Sequence, residues 1–85
     1  MIILDAANMT TREAAHDYLQ ARLRFPDHYG KNLDALFDCL TELDATELAF
    51  VEIRRARGSY FDKVLAVFQE AAEENPGLQI SIAQE

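Results

Sequence analysis

This chain of 85 residues has one cysteine, Cys39, no tryptophan, three glycines and two prolines. A lone cysteine excludes an intramolecular disulfide, so the fold must rest on its packed core, as suits a reducing cytoplasm. With so little glycine and proline, 49% hydrophobic residues and no repeat or low-complexity run, a disordered chain is also excluded. No stretch approaches the roughly 18 to 20 apolar residues needed to span a bilayer, and the first residues lack the basic and apolar regions of a secretory leader. The expectation is a soluble cytoplasmic protein, one domain over residues 1–85, with room for a single modest core.

Positive charge is scarce as well. Eight basic side chains stand against 15 acidic ones, a formal charge of -7, and between Phe25 and Glu52 seven acids face one lysine. Such a surface repels phosphate backbones, which disfavours direct nucleic acid binding. It attracts a basic partner, mainly by speeding association. The exception, Arg54-Arg55-Ala56-Arg57, reads as a solvated loop after a strand.

What is present is a regular alternation of elements. Met1 to Asp5 is apolar and branched, a buried strand of a parallel set. Thr10 stands three residues before Glu13, the capping-box spacing, and Ala15, Leu19 and Leu23 follow at helical intervals, predicting a helix from Thr11 to Leu23. Phe25-Pro26 ends that helix, with a short turn over Pro26 to Tyr29 and Tyr29-Gly30 leading on. A second helix spans Asn32 to Leu43. Leu48 to Ile53 reads as a central strand. Ser59 caps a last helix, whose stripe is Phe61, Val64, Leu65, Phe68, Ala71 and Ala72. Asn75-Pro76-Gly77 stops it before Leu78 to Ile82, an edge strand. Strands separated by helices imply parallel crossovers, hence an α/β fold with a three-stranded parallel β-sheet packed with helices.

The second helix sorts into two faces. Leu33, Leu36, Leu40 and Leu43 form an apolar stripe. A neighbouring stripe carries Asp34, Phe37, Asp38 and Thr41, with Asn32 and Glu42 close by. Carboxylates at i and i+4 repel by about 0.2 to 0.5 kcal/mol, and an aromatic between them has little reason to face water. The residues alone fit either an ordinary outer face or a recognition surface.

The run Pro26-Asp27-His28-Tyr29-Gly30, continued by Asn32-Leu33-Asp34-Ala35-Leu36-Phe37-Asp38-Cys39-Leu40-Thr41, closely resembles the barstar family, intracellular inhibitors of secreted bacterial ribonucleases. A weaker similarity covers nearly the whole chain. The resemblance implies a barstar-like α/β fold and one-to-one binding of a basic, extracellular-type, barnase-like ribonuclease. It implies that Asp38 enters the partner's active site in place of a substrate phosphate, with Asp34 and Thr41 one turn to either side and Glu70 contributing from the last helix. Asn32, Leu33, Phe37, Glu42, Leu43 and His28 complete the implied partner-binding set.

This chain departs from the family pattern in four side chains and one loop. His28 replaces an aromatic, Phe37 and Leu43 replace tryptophans, Glu42 replaces a glycine, and the loop at Arg54 to Ser59 is shorter. These departures leave open an acidic interaction module, or an immunity protein for a different basic toxin. His28 can carry a proton, so binding to a basic partner is predicted to be tighter at pH 8 than at pH 5.5.

Two chemical alternatives are weaker. Cys39 with His16 or His28 as base would make a nucleophile, yet no glycine-rich elbow or oxyanion signature accompanies it. Asp34, Asp38 and His28 could hold a hard cation, but neither a calcium loop nor zinc spacing is present. The expectation is a monomeric non-enzyme without cofactor or metal.

Overall fold

A computed structural model describes residues 1–83. Strand β1 (Ile2–Asp5) runs into a 3-10 turn at Ala6–Met9, then helices α1 (Arg12–Leu23) and α2 (Leu33–Thr41). Strand β2 (Thr46–Val51), the short helix α3 (Ile53–Ala56), helix α4 (Phe61–Glu74) and strand β3 (Leu78–Ile82) follow. The strands form one parallel sheet in the order β1-β2-β3, with Leu4 beside Phe50 and Phe50 beside Ile82. Parallel neighbours need long crossovers, and α1 with α2, then α3 with α4, supply them. The α/β fold is the one the alternation of elements predicts.

Strand β2 is central, as expected, and its Leu48, Ala49 and Phe50 are buried. Phe50 meets Phe61 and Phe68 of α4 edge-on, at ring separations of 5.4 and 5.0 Å. Alternation along the strands turns Leu4, Leu48, Phe50 and Leu78 into the core, while Ile3, Glu47, Gln79 and Ser81 are exposed. The expectation of a buried first strand is therefore corrected. β1 lies at an edge, only its Leu4 is fully buried, and Ile3 is 45% exposed. An open edge is a template for pairing with other chains, and the Arg22 guanidinium covers it by donating to the Ile3 carbonyl at 2.9 Å.

Several boundaries shift for local reasons. Thr11, not Thr10, caps α1, its Oγ1 accepting from the Ala14 N–H at 3.3 Å. Glu13 then falls too early in the first turn to close a capping box. Asn32 stands outside α2 as its cap, and the helix ends at Thr41 because the Glu42 and Leu43 amides bond only three residues back, to Cys39 and Leu40. β2 stops at Val51 because Glu52 takes a left-handed conformation, φ 60°. Ile53 then opens α3, so the arginine run is a helical turn and not a loop, with Glu52 paired to Arg55 at 3.3 Å. Tyr60, rather than Ser59, precedes α4 directly. Ser59 Oγ accepts from the Phe61 N–H and bonds back to the Ala56 carbonyl, which braces the turn between the two helices.

Candidate functional site

The segment before α2 is fastened to α1 by three side chains on one face of that helix. Gln20 Nε2 donates to the Pro26 carbonyl at 2.9 Å, His16 Nδ1 lies 2.6 Å from the Tyr29 hydroxyl, and Asp17 pairs with Lys31 at 2.8 Å. Lys31 takes a left-handed conformation, φ 53°, which turns the chain into the cap. A side chain at Gly30 would bring its Cβ within 3.2 Å of the Ala35 Cβ, tighter than ordinary contact, so glycine lets the loop lie this close to α2 without displacing it. Asn32 Oδ1 accepts from the Ala35 N–H at 2.7 Å and its Nδ2 donates to the Gly30 carbonyl at 3.3 Å. Both ends of that amide are occupied within the protein, which gives Asn32 a capping role.

The far end of α2 is held from a distant part of the chain. Asn75 Nδ2 donates to the Leu40 and Leu43 carbonyls, both at 3.0 Å, and its Oδ1 accepts from the Gly77 N–H at 3.0 Å. Between these clamps Leu36 and Leu40 are fully buried, whereas Leu33 and Leu43 are only half-buried at the margins. Asn75→Ala is expected to lower stability by about 1 to 3 kcal/mol, because the Leu43 carbonyl loses a donor and the Leu40 carbonyl keeps only the Leu43 amide among the described residues. A urea midpoint that falls with an unchanged slope would register it.

Two hollows flank Asp38. One, of 470 Å³, lies between α2 and α4 and is lined by Leu33, Asp34, Phe37, Asp38, Val67 and Glu70. The other, of 420 Å³, lies between α2 and the preceding loop, where His28, Tyr29, Gly30, Cys39, Glu42 and Leu43 line it together with Asp38. Asp38 borders both, so its exposed carboxylate stands on the ridge between them. Asn32 lies in a third hollow with Arg12, Leu33, Asp34, Tyr60 and Lys63. Thr41 lines none of the three, and its Oγ1 donates to the Asp38 carbonyl at 2.9 Å, so it has only lone pairs left to offer. Val67 escaped the sequence reading. Its signal was there, an apolar side chain off the core stripe and one turn before Glu70.

The acids of this face stand outside ion pairs, although Arg24 lines the loop-side hollow and Arg12 and Lys63 line the hollow that Asp34 shares. The ion pairs among the described residues join Lys31 to Asp17 and Arg55 to Glu52, so Asp34, Asp38, Glu42 and Glu70 have no cation within 4.0 Å. The last turn of α2 carries no basic residue, which leaves Asp38 and Glu42 at the negative end of the helix dipole. Asp34, Asp38 and Glu42 also follow one another at i+4, where like charges repel. Burial, then the Glu42 and Asp38 carboxylates, push the Cys39 thiol above its ordinary value. That is the opposite of what a nucleophilic cysteine requires. Among the described residues no group of three or more His, Cys, Asp or Glu gathers to hold a metal, and Asp34 and His28 line different hollows. No helix among the described residues is long and apolar enough to cross a membrane.

Comparison with known proteins agrees with this architecture. The "Putative ribonuclease inhibitor YrdF" of Bacillus subtilis (strain 168) is 47% identical over 78 residues, covering 86% of this chain and 86% of that protein. The family model described as Barstar (barnase inhibitor) matches residues 1–84. With a family match that spans nearly the whole chain, and with the parallel three-stranded sheet and clamped acidic helix in place, this protein belongs to the barstar family.

Proposed function

We propose that this protein inhibits a basic, extracellular-type ribonuclease of the barnase kind, binding it one-to-one in the cytoplasm as a monomer. The observation that supports the reading is the position of Asp38, an exposed carboxylate on the ridge between two hollows, in a row of acids that form no ion pair among the described residues. A ribonuclease active site gathers arginine and protonated histidine to hold phosphate, and a carboxylate accepts paired hydrogen bonds from the same groups. Asp38 then stands where a substrate phosphate would lie. Asp34 and Glu70 meet further basic groups across the α2–α4 hollow, whose floor of Leu33, Phe37 and Val67 receives the apolar stems of those side chains. His28, Glu42 and Leu43 face the partner from the other hollow, with Thr41 an acceptor at the end of the row and Asn32 holding the start of α2. Inhibition is occlusion, and no bond in this chain is made or broken.

A second reading keeps the binding face and changes the partner. Glu42 lines the loop-side hollow where the family resemblance leads one to expect a glycine, which adds a carboxylate beside Asp38 and favours a different basic toxin. Titrating a barnase-like ribonuclease with this protein while following RNA cleavage separates the two. Complete inhibition at one equivalent is the expected result. Its association rate should fall about tenfold or more between low salt and 0.5 M, as screening shortens the reach of the acidic face. No inhibition at either salt would reject the barnase-like partner and leave the second reading.

A further inference from the structure

His16 is the fully buried polar residue of the core, and it sits behind the candidate face rather than on it. Its Nδ1 lies 2.6 Å from the Tyr29 hydroxyl and its Nε2 lies 2.8 Å from the Tyr60 hydroxyl. Both phenol rings lean on the imidazole, at centroid separations of 5.7 and 5.6 Å. One side chain of α1 thus joins the loop that leads into α2 and the residue that precedes α4.

A neutral imidazole has one N–H and one lone pair, so one tyrosine must donate and the other accept. Tyr29 is only 6% exposed, and His16 is the partner its hydroxyl has among the described residues. It is satisfied as a donor only by giving its proton to Nδ1. Tyr60 is half-buried and can turn its own proton to water. The tautomer follows: Nδ1 accepts from Tyr29, and Nε2–H donates to the Tyr60 oxygen. Protonating Nδ1 makes it a donor and strands the Tyr29 hydroxyl proton in a site closed to water, which favours release of the ring.

Tyr29 is also a wall of the hollow that Asp38 borders, together with Gly30 and Ala35. We propose that His16 is a positioning residue for the partner-binding face: neutral, it holds Tyr29 and the loop wall beside Asp38 in place, and protonated, it lets them go, so that the grip on the partner is governed by pH from inside the fold. This rests on the reading of the Asp38 face as the binding surface. Charged groups near the imidazole pull in both directions. On α1, Arg12 opposes its protonation and Asp17 favours it, while Asp17 is itself paired with Lys31 from the loop. Tyr29 faces it from the loop and Tyr60 from the start of α4, with Lys63 lining the hollow that Tyr60 and Arg12 share. Burial, then Arg12, hold His16 below the ordinary histidine value, with Asp17 offsetting part of this. A depressed folded value means that the unfolded chain takes the proton first. The contribution of His16 is therefore fully present above about pH 6.5 and is lost as pH falls through the lower folded value.

The test uses His28→Gln, which leaves His16 as the sole imidazole, and the double variant with His16→Gln, whose amide can both donate and accept without titrating. In the single variant, the backbone amide resonances of Tyr29, Gly30 and Ala35 should move with the imidazole as it titrates. Its affinity for a barnase-like ribonuclease, by calorimetry, should fall by a further few-fold, and by less than about tenfold, between pH 8 and pH 5.5 relative to the double variant, because a histidine held below its ordinary value is only partly protonated there and the partner's own titrations are common to both. Loop resonances that stay still while the imidazole titrates would overturn the proposal, and so would equal pH profiles of binding. Resonances that follow His16 in a protein that binds no such ribonuclease would uphold the coupling and reject only the choice of partner.

Discussion

Asp38→Ala is expected to weaken inhibition of the cognate ribonuclease by roughly two to four orders of magnitude. A carboxylate that meets several basic groups in a desolvated site costs about 2 to 5 kcal/mol or more when removed, much of it from partner cations left unpaired. The free protein should respond in the opposite direction. Asp38 is exposed, sits in the last turn of α2 and has Asp34 and Glu42 one turn to either side. Removing it relieves two like-charge pairs worth about 0.2 to 0.5 kcal/mol each, together with an unfavourable dipole contact. Asp38→Ala should thus be as stable as the parent in urea, or slightly more so, while failing as an inhibitor. Glu47→Ala, which removes an exposed acid of β2 away from the face, is the control and should change binding by less than about 1 kcal/mol. Equal losses from the two variants would show that diffuse charge, and not a plug, does the binding.

Phe50→Ala should produce the largest loss of stability. Its ring is fully buried at the middle of the central strand and is gripped edge-on by Phe61 and Phe68. Deleting a buried phenylalanine costs about 3 to 5 kcal/mol, against a total of about 4 to 13 kcal/mol for a chain of 85 residues. The urea midpoint should fall by about a quarter or more. Phe37→Ala makes the contrast. Phe37 is half-buried on the groove floor, so its loss should cost far less stability and act mainly on partner binding. A Phe50→Ala protein with an unchanged midpoint would mean that the core is not centred where these contacts place it.

The elements were legible wherever periodicity and punctuation agreed. Pro26 marked the neighbourhood in which α1 ends, at a left-handed Arg24, Asn75-Pro76-Gly77 marked the end of α4, and the unbroken apolar run at Leu48 to Phe50 marked a central strand. The caps were less legible, because Thr10 and Thr11 are equally good candidates by type and only backbone geometry decides between them. The first strand was misjudged for a related reason. Met1 to Leu4 is apolar enough for a central position, and nothing local reveals that Arg22, nineteen residues after Ile3, would guard an edge. At the candidate face, Asp34 and Asp38 were visible from helical spacing. The hollow they border with Val67 and Glu70 was not, since it depends on how α4 packs beside α2. His16 was weighed only as a catalytic base, because a histidine flanked by alanine and aspartate gives no sign that two distant tyrosines will close on it.

The Asn75 clamp bears on whether the acidic helix could be moved elsewhere. Nine residues make barely two and a half turns, too short to hold together in water. Its opening amides depend on Asn32, its closing carbonyls on an amide group 32 to 35 positions downstream. A peptide cut from this region would carry every acid of the row and none of the scaffold that aligns it, so it should be a poor inhibitor even at high concentration. The unit that can be transplanted is the whole fold, including the third strand that completes the sheet beyond Gly77, and not the helix.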